Sequence, residues 1–347
     1  MSFIQAIVLL MIKKISGQRT ASSVYHLLKG KKSSQTLQDA HLFELDKWFH
    51  TAPFLERNQF ERWIHDFTEK GWIIQKEQVV YLTDCGDKQL SKWKDILPPL
   101  QFVRGLQLQG CAQIFWKRLT LLVQVASHLI SQQTRYLPVT RDETIHGWLK
   151  VFLRQQGLLK QQLASKLYQE LSSSLKSQTA EDPLIAVLRL SGSKRTGKTA
   201  SQAAAVLKLE ETEYWYRFLN LLHFLIQHII QRSSQLPLLF AMIEDIYQPV
   251  VLTHSARRTA ELLRRGYSPE EIAAKRRLKM STVEDHLVEL ALNLPEFSIS
   301  PFVSEEAAAA IVETASGQMH KKLKPIKDQH PNVTYFQIRL VLAKYSR

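Results

Sequence analysis

Two groups of residues in this chain have types and spacings suited to chemistry on phosphate. The first comprises Arg257, Arg258, Lys275, Arg276, Arg277 and Lys279, which lead up to the hydroxyls of Ser281 and Thr282. Guanidinium and ammonium groups neutralise phosphate oxygens, and hydroxyls at a helix start can reach phosphates or base edges. The second is Gly192-Ser-Lys-Arg-Thr-Gly197-Lys198-Thr199, which satisfies G-x-x-x-x-G-K-[ST] letter for letter. There, backbone N–H groups would cradle a nucleotide, Lys198 would reach the outer phosphates and Thr199 would bind Mg²⁺. No HExxH, GxSxG or Cys/His cluster is present, and the twelve histidines are dispersed. No catalytic, cofactor-binding or metal-binding residue is therefore assigned.

The cations of the first group need a frame, and the stretch 266–287 supplies one. Ser268 can cap a helix, with Glu271 completing a capping box and Pro269 at the first helical position. Ile272, Ala273 and Leu278 give that helix an inward face. Ser281 is placed to cap a second helix, in which Val283, Leu287 and Leu290 form an apolar stripe. A supporting helix over 257–265 stops at Gly266. Such a trihelical unit is a helix-turn-helix, whose second helix usually enters the major groove. An ordinary helical hairpin within a larger α domain is the competing reading. Glu284, Asp285 and Glu289 would face phosphates unfavourably, so the pattern suits backbone contacts that position without specifying sequence.

The nucleotide-binding reading of residues 192–199 fails on context. A P-loop belongs to a βαβ unit in a parallel sheet, whereas this chain shows helical periodicity nearly throughout. The segment also aligns with the chain's own helix-turn-helix. Gly197-Lys-Thr199 with Gln202 matches Gly266-Tyr-Ser268 with Glu271. Thr199 is thus expected to cap a second helix-turn-helix-like element, followed by a helix over 212–225.

The net charge of +14 and pI near 9.7 fit a phosphate-rich partner, an anionic membrane surface or an acidic protein. Cys85 and Cys111 have no ligand spacing and are expected as reduced, buried thiols of a cytosolic, cytoplasmic protein. The apolar run 3–12 is too short to span a bilayer, and 119–130 and 218–230 carry polar interruptions. All three read as buried helices, and no secretion or membrane anchoring is indicated.

At 347 residues the chain has room for two or three domains. Residues 1–97 read as a winged-helix-like unit. Helices are expected over 4–15, 21–29 and 37–48, with another capped by Asn58 and Glu61 and stopped by Gly71. Two short strands then flank the polar Gln75-Lys-Glu-Gln78, and Thr83-Asp84 opens a further helix. The hairpin reads as a wing that can lie against a DNA backbone or serve only protein binding or dimerisation. Leu97-Pro-Pro99 marks a linker. Residues 100–235 form a helical middle domain, with a box-like start at Thr140 and Glu143 and a low-complexity loop at 172–177. Trp116, His128, Trp148 and His223 read as core or edge residues there. Residues 236–347 hold the helix-turn-helix, a basic run including Lys321, Lys322, Lys324 and Lys327, and a last helix capped by Thr334 with Gln337.

The order Gly266, Ser268, Glu271-Ile-Ala273, then Thr282-Val283, His286-Leu287 resembles the helix-turn-helix of LuxR-type regulators and of sigma-factor region four. With Leu252-Thr-His-Ser255 before it and Leu323-Lys-Pro-Ile-Lys327 and residues 335–343 after it, the segment looks like the C-terminal domain of many RecQ-type helicases. The whole chain, lacking a helicase motor, resembles the YpbB family. This resemblance implies a DNA-associated accessory protein working beside a separately encoded RecQ-like helicase, in recombination or repair.

The sequence therefore predicts a mainly α, multidomain, non-enzymatic DNA-binding protein with no cofactor. Arg276, Arg277 and Lys279 would contact phosphates, and His286 would be structural. The alternatives are a sequence-specific transcription regulator, an adaptor that docks on a helicase without binding DNA and, third, a nucleotide hydrolase.

Overall fold

The computed structural model describes residues 1–93, 97–178, 180–248, 250, 252–316 and 323–345. The chain opens with α1 (Phe3–Ile15), α2 (Ala21–Lys29) and α3 (Ser34–Leu42), a 3-10 turn at Asp46–Trp48, and α4 (Arg57–Glu69). A hairpin of β1 (Ile73–Lys76) and β2 (Val79–Leu82) follows, then α5 (Asp84–Ser91). The middle stretch contributes α6 (Gly105–Leu108), α7 (Cys111–Ile130), α8 (Glu143–Gln156), α9 (Lys160–Lys176), α10 (Leu184–Val187), α11 (Ala200–Leu207), α12 (Glu211–Gln231) and α13 (Pro237–Phe240). The last third holds α14 (His254–Arg264), α15 (Pro269–Arg276), α16 (Met280–Asn293), α17 (Glu305–Ser316), α18 (Leu323–Gln329) and α19 (Tyr335–Tyr345). The fold is thus mainly α, with a winged-helix-like N-terminal part and a C-terminal helix-turn-helix. Among the described residues the hairpin is the only sheet, and no helix is long and apolar enough to cross a membrane. Lys321 and Lys322 lie outside the described residues.

Packing gathers these elements into two units that do not follow chain order: Met1–Leu9 with Lys88–Tyr247, and Leu10–Asp87 with Gln248–Arg347. In the first, the core forms where α7, α9 and α12 present apolar residues at helical spacing. Phe115, Leu119 and Leu122 meet Leu163 and Leu167, and Phe218, Leu222 and Leu225. Trp116 packs edge-on against Phe218 with ring centroids 4.9 Å apart. Arg118 pairs with Asp245 under the ring of Trp148. The polar side chains buried on α12 serve backbone elsewhere. Asn220 accepts from the Phe102 N–H, and His223 Nδ1 accepts from the Arg104 N–H, each at 2.9 Å. Burial lowers the His223 pKa to about 3.

Several local expectations need correction here. Asp142, not Thr140, caps α8, its carboxylate accepting from the Thr144 N–H. Ser172, Ser173 and Ser174 lie within α9 rather than in a loop, and each hydroxyl donates to a carbonyl one turn back. Cys111 is buried, which pushes its thiol up to about 12, whereas Cys85 is exposed.

In the second unit, the expected helix over 37–48 breaks at Glu44, whose φ of 52° is left-handed. Asn58 lies inside α4; Glu56 is the N-cap, and no side chain caps the helix. The strands pair antiparallel, Ile73 opposite Leu82 and Lys76 opposite Val79. Glu77 and Gln78 both have positive φ, the two-residue turn that matches strand twist. Thr83 caps α5 by accepting from the Gly86 N–H. Gly86 is sterically required, since a Cβ there would come within 2.2 Å of the Trp72 carbonyl oxygen. The C-terminal core joins Leu287 and Leu290 of α16 to Ile311, Ile326, Ile338 and Val341.

Candidate nucleic-acid interface

The helix-turn-helix forms from local signals. Thr253 caps α14 by accepting from the Ala256 N–H, three residues earlier than the sequence suggested. Gly266, with φ 86°, turns the chain towards α15. There the capping box is complete: the Glu271 N–H donates to Ser268 Oγ at 3.2 Å, and the Ser268 N–H to Glu271 Oε2 at 2.7 Å. Helix α15 ends on Arg277 in the left-handed conformation, φ 52°, with its N–H and that of Leu278 donating to Ala274 and Ala273 carbonyls.

The start of α16 differs from expectation. Lys279 is the N-cap and offers no side-chain cap; Ser281 sits inside the first turn rather than capping it. The helix starts two residues earlier than the sequence suggested. Among the described residues, the N–H groups of Met280 and Ser281 donate to no partner. The helix thus begins with free donors, an exposed ammonium and an exposed hydroxyl. Thr282 is half-buried.

The acidic residues of α16 are largely turned away from that end. Glu289 is 2% exposed and accepts from the Thr253 N–H and hydroxyl, joining α16 to the cap of α14. Burial raises its pKa, opposed by the Thr253 bonds. Asp285 pairs with Arg339 of α19. Among the described residues, Glu284 alone of these three acids has no such partner; it is half-buried.

The cations divide into two sets. Arg258, Lys275, Arg277 and Lys279 are exposed, as are Arg264 and Arg265; the Lys275 ammonium lies 4.7 Å from the centre of the Tyr267 ring. Arg257 is bonded to the Gln248 side chain. Arg276 is engaged inward. Its guanidinium donates to the Ser255 carbonyl at 2.9 Å, to Ser255 Oγ at 2.8 Å and to Thr259 Oγ1. Thr259 also meets His286 Nδ1 at 2.9 Å, so Arg276, Thr259 and His286 tie the three helices together. Burial lowers the pKa of both Arg276 and His286, each further lowered by a neighbouring arginine. Thr253, Ser255 and Thr259 escaped sequence analysis. Only Thr253 carried a readable signal, as a hydroxyl residue three places before Ala256, the first buried apolar residue of α14.

A second turn repeats this geometry position for position. Thr199 caps α11 in a complete box with Gln202, Lys208 ends it with φ 55°, and Glu210 caps α12. The charge is opposite: Glu210, Glu211 and Glu213 sit where α16 has Lys279, Met280 and Thr282. Its N-terminus is also occupied. Glu210 accepts from the Thr212 N–H, and the N–H groups of Phe3 and Ile4 donate to Glu210 and Thr212.

Residues 192–199 do not form a phosphate cradle. The preceding segment is the short helix α10 rather than a strand. The N–H groups of Gly192, Ser193, Gly197, Lys198 and Thr199 are spent on Arg195, Ser127, Ser191, Leu188 and Gln202. A Cβ on Gly197 would stand 2.3 Å from the Arg189 carbonyl oxygen, so the backbone there faces protein, not a ligand.

Side-chain-capped α14 and α15 with α16, closed by α17–α19, define a helix-turn-helix protein. Residues 255–342 match the helix-turn-helix domain family. The chain is 33% identical over 348 residues to Protein YpbB of Bacillus subtilis (strain 168), covering 99% of this chain and 98% of that one. It belongs to the YpbB family. No solved structure matches at a significant level.

Proposed function

We propose that this protein binds DNA through the phosphate backbone, as a non-catalytic cytoplasmic accessory factor that supports a separately encoded RecQ-like helicase in recombination or repair. The observation that carries the reading is the start of α16: free N–H groups, Lys279 and Ser281, beside Arg277, Lys275 and Arg258, with Glu289 and Asp285 turned inward. A helix N-terminus with unpaired donors favours an anion, and the flanking cations add counterion release. From His286 to Leu292 the helix is buried, leaving only its first turns for a groove. That limits base reading and favours contacts that tolerate many sequences, which speaks against a sequence-specific regulator. The helicase partner rests on the likeness of the C-terminal domain to that of RecQ-type helicases.

Fluorescence anisotropy with single-stranded, duplex and forked DNA across a salt series, without nucleotide, tests the reading. Tight, salt-steep binding with little sequence preference is expected. Absence of binding at low salt would move the helix-turn-helix to the adaptor role, for which capture of a helicase is the readout.

A further inference from the structure

Within the second unit, where α3 faces α16 and α19, lies a cavity of about 430 Å³. Leu42, Val288, Leu292 and Leu342 form its apolar wall, and Arg19, Gln38 and Arg339 contribute polar groups. Gln38 is the most telling of these. Its Oε1 accepts from Arg339 Nε at 3.0 Å, which fixes the amide orientation, because the flipped amide would set donor against donor. Its Nε2 is then buried and donates to nothing. Buried polar atoms are nearly always satisfied, so an orphaned donor on a cavity wall points to an acceptor inside the cavity.

The charges around the cavity restrict what carries that acceptor. Arg19 donates through Nε to Asp39 at 2.8 Å and through Nη1 to the Gln18 carbonyl at 2.9 Å. Arg339 is paired with Asp285. Both guanidiniums are thereby balanced by carboxylates, Glu44 is paired with Lys14, and Asp46 adds negative charge to the lining. An anion gains no net attraction there. Water could meet Gln38 but would leave the aliphatic wall wetted. The volume lies in the range of small-molecule sites, and the lining is mixed, an apolar wall together with polar and charged side chains.

We propose that this cavity binds an uncharged, mainly apolar small molecule bearing a carbonyl oxygen. The oxygen takes the hydrogen bond from Gln38 Nε2, and the body packs against Val288, Leu292 and Leu342. The site does not depend on the DNA-binding reading.

The test uses the full chain, with 2-octanone and octanoate as probes in calorimetric titration and thermal melts. 2-Octanone is expected to bind and raise the melting temperature, with octanoate at least tenfold weaker. Gln38→Leu keeps the shape and removes the donor, so ketone affinity should fall about tenfold, the worth of one hydrogen bond. Leu42→Trp, at a half-buried lining position, should obstruct binding, with its melt and circular dichroism reporting a folded chain. The proposal is overturned if 2-octanone fails to bind, if octanoate binds better, or if Gln38→Leu binds the ketone as wild type does.

Discussion

Arg276 and Arg277 are neighbours of the same charge, yet the structure gives them opposite expected phenotypes. Arg276 is committed to Ser255 and Thr259 through three hydrogen bonds, while Arg277 projects from a left-handed turn into solvent. Replacing Arg276 by Ala removes bonds that hold α15 to α14. A charged donor's bonds, discounted because the side chain is part-exposed, are worth roughly 1–2 kcal/mol, or about 3–6 °C of melting temperature. The salt dependence of DNA binding should stay as in wild type. Arg277→Gly does the reverse. Glycine accepts φ 52° without steric cost, so the melting temperature should hold or rise. If Arg277 meets a phosphate, the slope of log affinity against log salt should flatten by about 0.9. Adding Lys279→Ala should bring the flattening to about 1.8, which between 50 and 200 mM salt is roughly a twelvefold smaller loss of affinity. Anisotropy titrations at four salt concentrations, run well below the melting temperature, resolve this. A flattened slope in Arg276→Ala, or an unchanged one in Arg277→Gly with Lys279→Ala, would refute the division of roles.

Other consequences concern the rest of the chain. His223 is held neutral by burial, its pKa lowered from 6.5 to about 3, so its share of stability is present above pH 6.5 and is lost as pH falls towards 3. Urea unfolding should show a loss near 1.4 kcal/mol per pH unit from this residue between pH 6.5 and 4.5, which His223→Asn removes; equal pH dependence in both proteins would discount it. Gly197→Ala should lower stability by roughly 1–3 kcal/mol through the clash with Arg189. Lys198→Ala should leave both stability and DNA binding unchanged, and a thermal shift with Mg·ATP lost in Lys198→Ala would restore the nucleotide site. Glu289→Ala orphans the Thr253 N–H and should cost about 1–3 kcal/mol, whereas Glu289→Gln keeps an acceptor and should cost less; equal losses in a chemical melt would contradict that assignment.

What could be read from the sequence was what local physics decides. The boxes Ser268–Glu271, Thr199–Gln202 and Thr334–Gln337 all form as the letters suggest, since donor and acceptor lie within one turn. The same pattern misled at Asn58–Glu61 and Thr140–Glu143, where a nearer acidic residue, Glu56 or Asp142, took the cap position. Polar segments contain such patterns by chance, and one residue of phase decides between them. Long-range facts were not legible. Nothing in periodicity says that residues 10–87 pack with 248–347, that Glu289 reaches Thr253, or that Arg276 turns inward while Arg277 does not. The cavity beside Gln38 belongs to that class, because its walls come from segments far apart in sequence.

The two turns separate what makes a helix-turn-helix from what makes a DNA site. Caps and a left-handed residue set the shape, and these are equivalent at Thr199–Glu210 and Ser268–Lys279. Three residues after the turn set the charge. At α12 they are acidic, the cap is filled by Glu210, and the chain's own Phe3 and Ile4 sit on it. An anion there would meet the carboxylates of Glu210, Glu211 and Glu213. At α16 the cap is open, Lys279 is exposed, and two of the three acids behind it, Glu289 and Asp285, are bound to Thr253 and Arg339. One geometry thus occurs twice among the described residues, with Glu210, Glu211 and Glu213 at the first helix start and Lys279 at the second, and it is the second whose charge suits the proposed phosphate contact.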